Sequence, residues 1–258
     1  MATALLFEQG TLGIQVLDGP EGSVELLAYF TRMSLDALRS GFAGLPAVRV
    51  EAAVVPEVDW VARFRESFHS FQVGGFQIVP SWQIPPTGPR VLIVDPGRAF
   101  GTGTHESTRL CLQALEGLAR ERPLGRLLDV GCGTGILGVA AARLGAARVV
   151  CVDKDAEAVA AAALHARLNH VDLRIVRGDG CRAIAGRFDL VTANIAKGPL
   201  LERRDELFVA LAPAGVLILS GLLAEDVEAV RGAYADLGPA ELLTEGEWAA
   251  FLIRRESA

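Results

Sequence analysis

The chain has 258 residues, 51% of them apolar and 22% charged, with 25 basic against 31 acidic side chains for a net charge of −6. That balance buries a large core and excludes intrinsic disorder; the acidic total argues against sequence-independent grip on nucleic acid and suits a basic protein as partner. The 28 glycines and 12 prolines follow no period, which excludes a collagen-like chain.

The first ten residues lack a basic n-region and no run of about 18 apolar residues occurs, so neither a secretory leader nor a membrane span is expected. Cys111, Cys132, Cys151 and Cys181 form no CxxC pair and read as small apolar fillers in a reducing cytoplasm, with no structural zinc.

Apolar runs over 12–17, 24–30 and 48–55 predict strands, and 34–41 predicts a short helix with Ser34 as its N-cap, giving a small α+β domain over 1–56. A connecting segment, 57–90, opens with a helix that places Trp60, Val61, Phe64 and Phe68 on one face; an extended piece over 71–79 and a Pro/Gly-rich loop over 80–89 follow. From 91 to 258, strands alternate with helices. Helices are predicted over 106–122, 136–144, 156–168, 199–211 and 225–237, and strands over 127–130, 148–152, 173–176, 188–193 and 216–219, before a closing hairpin of 241–244 and 248–253. Continuous apolar strands separated by helices define an α/β, Rossmann-like parallel sheet covered on both faces, with an antiparallel last strand.

The densest chemical signal is Asp129-Val130-Gly131-Cys132-Gly133-Thr134-Gly135, where a strand runs through a glycine turn into a helix. Such a turn lets backbone N–H groups approach a nucleoside at the carboxyl end of the first strand. Asp153, 22 residues past Gly131, ends the next strand where a carboxylate accepts from ribose hydroxyls, while Asp155 suits the N-cap of the following helix. Gly133 to Gly138 also satisfies GxGxxG, so a nicotinamide-dependent oxidoreductase is the rival reading. Asp129 tilts the choice, because a carboxylate sits badly beside a pyrophosphate and well beside a cationic amine. Asp179 either accepts from an adenine amino group or begins a turn. A ligand joining adenosine to a cationic amino acid tail is S-adenosylmethionine.

With Val94-Asp95-Pro96-Gly97-Arg98-Ala99-Phe100-Gly101-Thr102-Gly103-Thr104-His105-Glu106-Ser107-Thr108, Thr192-Ala193-Asn194-Ile195, Leu219-Ser220-Gly221-Leu222 and Asp59-Trp60 in view, the chain resembles the class I S-adenosylmethionine-dependent methyltransferases. More narrowly, it resembles the bacterial enzymes that methylate the eleventh protein of the large ribosomal subunit. The resemblance implies cofactor contacts from Thr108, Gly131, Asp153 and Asn194, and a loop from Phe100 to His105 that closes over the cofactor. Asn194 and Phe100 are the candidate catalytic residues; Asp129, Gly133, Gly135 and Asp179 complete the candidate cofactor site. Read alone, Phe100 also fits a core position and His105 a helix start. The chain departs from the family at Ala196-Lys197, at Ser107, and in a shortened N-terminal domain whose 5–10 stretch is similar to the end of the family's first helix.

Asn194 is not followed by the Pro-Pro-Tyr type of run that serves flat nucleobase or amide targets, so an aliphatic protein amine is the expected acceptor: a lysine or an N-terminal amine of the ribosomal protein, or a lysine of another protein. Lys197 reads as a solvated helix start or as a neighbour of the acceptor. GxSxG, GxxxxGK[ST] and HExxH are all missing from the chain, and His165 and His170 are expected at the surface.

Overall fold

The computed structural model describes residues 2–11, 13–18, 23–30, 33–45, 47–52, 68–97 and 99–256; most of the helix expected after Pro56 lies outside them. The chain separates into two compact units, Met1–Val58 and Asp59–Ala258.

The first unit holds α1 (Ala2–Glu8), an antiparallel hairpin of β1 (Gly13–Asp18) and β2 (Val24–Tyr29), and α2 (Leu35–Gly41). The Ser34 hydroxyl accepts from the Ala37 amide and so satisfies a donor that the first turn of α2 leaves open. Leu6, Leu38 and Phe42 are its buried core, with Ile14, Leu26 and Ala28 packed beside them. The strand expected over 48–55 is not formed in its described part, 48–52. There the Val50 carbonyl accepts from Arg39 Nε at 3.2 Å, a side-chain partner in place of a strand ladder.

The second unit begins with a three-stranded sheet in which β3 (Phe71–Val73) pairs with β4 (Phe76–Pro80), and β4 runs parallel to β5 (Val91–Val94). The single extended piece expected over 71–79 is therefore a hairpin, reversed at Gly74, whose φ of +55° an L side chain rarely adopts. Glu116 of α3 (Glu106–Glu121) holds that turn: it is 5% exposed, accepts from the Gly75 amide at 2.9 Å, and pairs with Arg90 and with Arg120 at 2.7 Å. Burial pushes its carboxyl up, but the Gly75 amide and the two guanidinium groups outweigh burial and keep it below the usual range. Glu116→Ala is expected to cost about 1–2 kcal/mol, because it removes the buried carboxylate that the Gly75 amide and two partly exposed arginines share. Urea unfolding reads this directly, and a change under about 0.5 kcal/mol would mean the network does not hold the hairpin.

The main sheet has seven strands in the order β11 (Ala240–Glu245), β12 (Trp248–Arg254), β10 (Leu211–Leu223), β9 (Phe188–Asn194), β6 (Arg126–Val130), β7 (Arg148–Asp153), β8 (Arg174–Arg177). β12 pairs antiparallel with both neighbours and every other pairing is parallel, as the alternating strands and closing hairpin predict. Covering helices are α3, α4 (Ile136–Arg143), α5 (Ala156–Leu168), α6 (Lys197–Glu202), α7 (Arg204–Ala210) and α8 (Val227–Tyr234). Period-two alternation sends Leu127 and Ile218 to one apolar layer and Leu128 and Leu217 to the other, so both faces are buried.

Three further expectations are corrected. The single helix over 199–211 is two, because Arg203 (φ −98°, ψ 8°) leaves helical geometry between α6 and α7. The strand over 216–219 extends to Leu211–Leu223, with a register shift between Ser220 and Leu222 where Gly221 has φ +83°. His165 is buried rather than at the surface: Nε2 accepts from the Asp95 amide at 2.9 Å while Nδ1 donates to the Ala161 carbonyl at 2.8 Å, and burial lowers its pKa. One helical turn on, Asn169 both donates to and accepts from the Ile93 backbone at 2.7 Å, so the end of α5 straps β5 where no strand among the described residues pairs with it. His170 is exposed as expected. Among the described residues no helix is long and apolar enough to cross a membrane.

Candidate active site at the carboxyl ends of the central strands

β6 ends in a turn whose first amides fold back on β7: Gly131 and Cys132 donate to the Val152 carbonyl at 2.9 and 3.2 Å, and Gly133 donates to Asp153 Oδ2 at 2.9 Å. Asp153 Oδ1 accepts from the Asp155 amide at 3.0 Å, and Asp155 caps α5 by accepting from Glu157. Each Asp153 oxygen thus has one backbone donor and a remaining lone pair on a half-buried carboxylate. Gly131, Gly133 and Gly135 all have positive φ. A Cβ on Gly131 would lie 2.5 Å from the Ile195 side chain, and one on Gly133 would lie 2.3 Å from the Phe100 carbonyl oxygen. These two positions need glycine for close approach as well as for conformation.

The loop before α3 lies on this turn. The Thr134 amide donates to the Phe100 carbonyl at 2.9 Å, and the Thr134 hydroxyl donates to the Gly101 carbonyl. Phe100 is 53% exposed, and its ring meets the His105 ring edge-on at 5.2 Å. His105 is also the N-cap of α3, Nδ1 accepting from the Ser107 amide at 3.2 Å, so the helix-start reading of that residue holds. On the far side of His105 stands Trp248 of β12, rings 4.3 Å apart, a member of this wall that sequence reasoning did not find. Its only signal was an aromatic residue beside the Gly246 turn.

At the end of β9, Asn194 Nδ2 donates to Thr108 Oγ1 at 3.3 Å, while Asn194 Oδ1 is buried with no hydrogen-bond partner among the described residues. Gly131, Gly133, Asp153, Phe100, Thr108 and Asn194 therefore lie along one rim made by the ends of β6, β7 and β9 and the start of α3. Two further candidates, one acidic and one basic, are held in ion pairs. Asp179 is exposed and paired with Arg203 at 2.6 Å, which holds its carboxyl below the usual range. Lys197 opens α6 in an ion pair with Asp226, which raises the amine's pKa.

Asp129 lies beneath the turn, 1% exposed. Its Oδ1 accepts from Thr192 Oγ1 at 2.7 Å, and its Oδ2 is buried without a partner among the described residues. Burial pushes its pKa up to about 6 against the hydrogen bond from Thr192. A carboxyl raised in the folded state binds more protons there than in the unfolded chain. Its contribution to stability is thus greatest below pH 4 and is lost as pH rises through 6. Asp129→Asn is expected to gain on wild type by roughly 2 kcal/mol between pH 4 and pH 7. Denaturant midpoints of both proteins at the two pH values give the difference, and a gap independent of pH would contradict it.

A parallel sheet closed by one antiparallel strand, with a glycine turn at its first strand and a carboxylate at its second, defines a class I methyltransferase architecture. The profile of a known family, "Ribosomal protein L11 methyltransferase (PrmA)", matches residues 15–256. A ribosomal protein L11 methyltransferase of Pelobacter propionicus is 40% identical over 230 residues, 86% of this chain and 74% of the relative. One of Syntrophotalea carbinolica is 39% identical over 255 residues, 96% of this chain and 83% of the relative. A crystal structure of the ribosomal protein L11 methylase of Lactobacillus delbrueckii subsp. bulgaricus superposes with a TM-score of 0.67 at 31% identity, covering 73% of this chain and all of that one. The chain belongs to the ribosomal protein L11 methyltransferase family, and is an S-adenosylmethionine-dependent protein methyltransferase; the oxidoreductase alternative falls.

The residues present fit that cofactor. The turn is free of Cβ atoms at Gly131 and Gly133, a half-buried carboxylate stands at the end of β7, and two buried acceptors, on Asp129 and Asn194, have no protein donor among the described residues. A cationic amine and a ribose are donors of the kind such acceptors match.

Proposed function

We propose that the chain methylates amines of ribosomal protein L11, on lysine side chains or the N-terminus, in the cytoplasm, and that Asn194 and Phe100 form the acceptor end of the site. The observation that carries this reading is the buried Asn194 Oδ1, without a partner among the described residues, on the rim beside the glycine turn. S-adenosylmethionine supplies, when bound, a methyl group that its sulfonium makes electrophilic. Gly131, Gly133 and Gly135 would hold it close to backbone, Asp153 its ribose hydroxyls, Asp129 the charge of its amino acid end, Asp179 its adenine, and Thr108 would fix the Asn194 amide.

The chemical demand on the protein is a neutral amine in line with the donor and screened from water. A lysine of ordinary pKa about 10.4 costs roughly 4.6 kcal/mol to deprotonate at pH 7, and an N-terminal amine near 7.7 about 1 kcal/mol. Burial of the amine beside a positive charge lowers that cost by disfavouring the ammonium form. Asn194 Oδ1 accepts one amine hydrogen and so turns the lone pair, while the Phe100 ring on its loop excludes water. Asn194 is itself uncharged and does not hold the amine in its ammonium form. The net charge of −6 suits a basic substrate.

Acetylating the amines of purified L11 before the assay tests the reading. Methyl uptake is expected with untreated L11 and none with the acetylated protein; uptake that survives acetylation would place the acceptor on another group.

A further inference from the structure

The wall of Phe100, His105 and Trp248 is assembled from two pieces of chain far apart in sequence, the 99–105 loop and the β11–β12 hairpin. One side chain touches both. Arg109, in the second turn of α3, donates through Nε to Glu245 Oε1 at 2.7 Å and through a terminal nitrogen to the Thr104 carbonyl, and its other terminal nitrogen lies 3.2 Å from Glu106 Oε1. Thr104 immediately precedes His105. Glu245 is registered opposite Trp248 across the hairpin, and Trp248 packs on His105 at 4.3 Å. The guanidinium is 25% exposed and Glu245 33%, while Glu245 Oε2 is buried without a hydrogen-bond partner among the described residues.

We propose that Arg109 is a positioning residue for methyl transfer: its planar fork clasps the loop to the hairpin and thereby sets the spacing of the His105 and Trp248 rings on the acceptor side of the site. The inference rests on the methyl-transfer reading above. A surface ion pair within α3 would explain the Glu106 contact alone. It explains neither the Thr104 carbonyl nor Glu245, which lies 136 residues away. Arginine suits the task because its donors point in fixed directions, so three acceptors on three pieces of chain are held at set angles. Being partly exposed, the same contacts contribute little to global stability, so geometry and folding are separable.

The test compares wild type with Arg109→Ala, Arg109→Lys and Glu245→Gln for kcat and KM with L11, for Kd of S-adenosylhomocysteine, and for thermal midpoint. Arg109→Ala is expected to lower kcat on the order of 10- to 100-fold, as a misplaced wall would, with cofactor-product Kd and midpoint close to wild type. Arg109→Lys keeps the charge but not the fork, and recovers only a minor part of the lost kcat. Glu245→Gln shifts kcat in the same direction by less, and adding it to Arg109→Ala causes no further loss. An unchanged kcat in Arg109→Ala, full recovery by lysine, or a kcat loss matched by falls in midpoint and in affinity for S-adenosylhomocysteine would overturn the clasp alone. Wild-type protein that binds S-adenosylhomocysteine but transfers nothing to L11 would overturn the methyl-transfer reading and the clasp with it.

Discussion

Asn194→Ala lowers the turnover of L11 methylation by about 10²- to 10³-fold, the scale seen when one pre-oriented polar contact is removed from a reaction centre. Affinity for S-adenosylhomocysteine stays within about tenfold. The split follows from what the side chain touches. Its Nδ2 donates only to Thr108 Oγ1, at a long 3.3 Å, and its Oδ1 has no partner among the described residues, so truncation removes a weak bond together with a buried orphan acceptor. The two effects on stability offset each other to within about 1 kcal/mol, and the variant folds. What it loses is the acceptor that turns the substrate amine. Asn194→Asp separates orientation from charge. A carboxylate at the same place still accepts from the amine but stabilises its ammonium form, raising the pH at which the neutral amine appears. Its activity is expected to be low at pH 7 and to climb toward pH 9 more steeply than that of wild type. Turnover unchanged in Asn194→Ala would remove Asn194 from the mechanism.

Gly133→Ala abolishes cofactor binding within the range of a calorimetric titration, a weakening of more than about 100-fold or 2.7 kcal/mol. The residue has φ +54°, and an added Cβ would lie 2.3 Å from the Phe100 carbonyl oxygen, which accepts from the Thr134 amide. A backbone oxygen cannot swing aside as a side chain does, so the loop has to lift from the turn. The left-handed conformation adds about 1–2 kcal/mol for an L residue, and the lost Thr134 bond about 1 kcal/mol more. The matching change at Gly131 meets the Cγ2 methyl of the Ile195 side chain instead of a backbone oxygen. Gly131→Ala is therefore expected to weaken binding less than Gly133→Ala, and the reverse order would mean that the contact between loop and turn does not shape the cofactor site.

Legibility in the sequence followed the range of the interaction. The turn at Gly131–Gly135 is local, a strand, three glycines and a helix within a dozen residues, and so were the Ser34 and Asp155 caps and the apolar strands of the main sheet. The hairpin at 71–80 is two short strands whose apolar positions, 71 and 73 then 76 and 78, change phase at Gly74-Gly75, a local turn signal that one extended piece over 71–79 passes over. The break at Arg203 escaped because the apolar spacing on either side still fits a single helix. His165 read as a surface residue from its spacing to His170; its burial comes from strapping β5 through the Asp95 amide, a contact between residues 70 apart. Asp129 was legible as the acidic residue of the turn but not as a fully buried one, because its depth is set by the pairing of β6 with β9, where Thr192 stands opposite. Trp248 and Arg109 meet at the site through the fold alone: no local spacing links the closing hairpin to the 99–105 loop.

The central claim, that this site delivers methyl groups to L11 amines, is tested most directly by incubating the purified chain with S-adenosylmethionine carrying an isotopically labelled methyl group and purified ribosomal protein L11, then locating the label by peptide mass spectrometry. Label on lysine side chains or the N-terminal amine of L11, and its disappearance with Asn194→Ala, is the expected result. L11 left unlabelled by active protein, or label confined to carboxylates or side-chain amides, would contradict it.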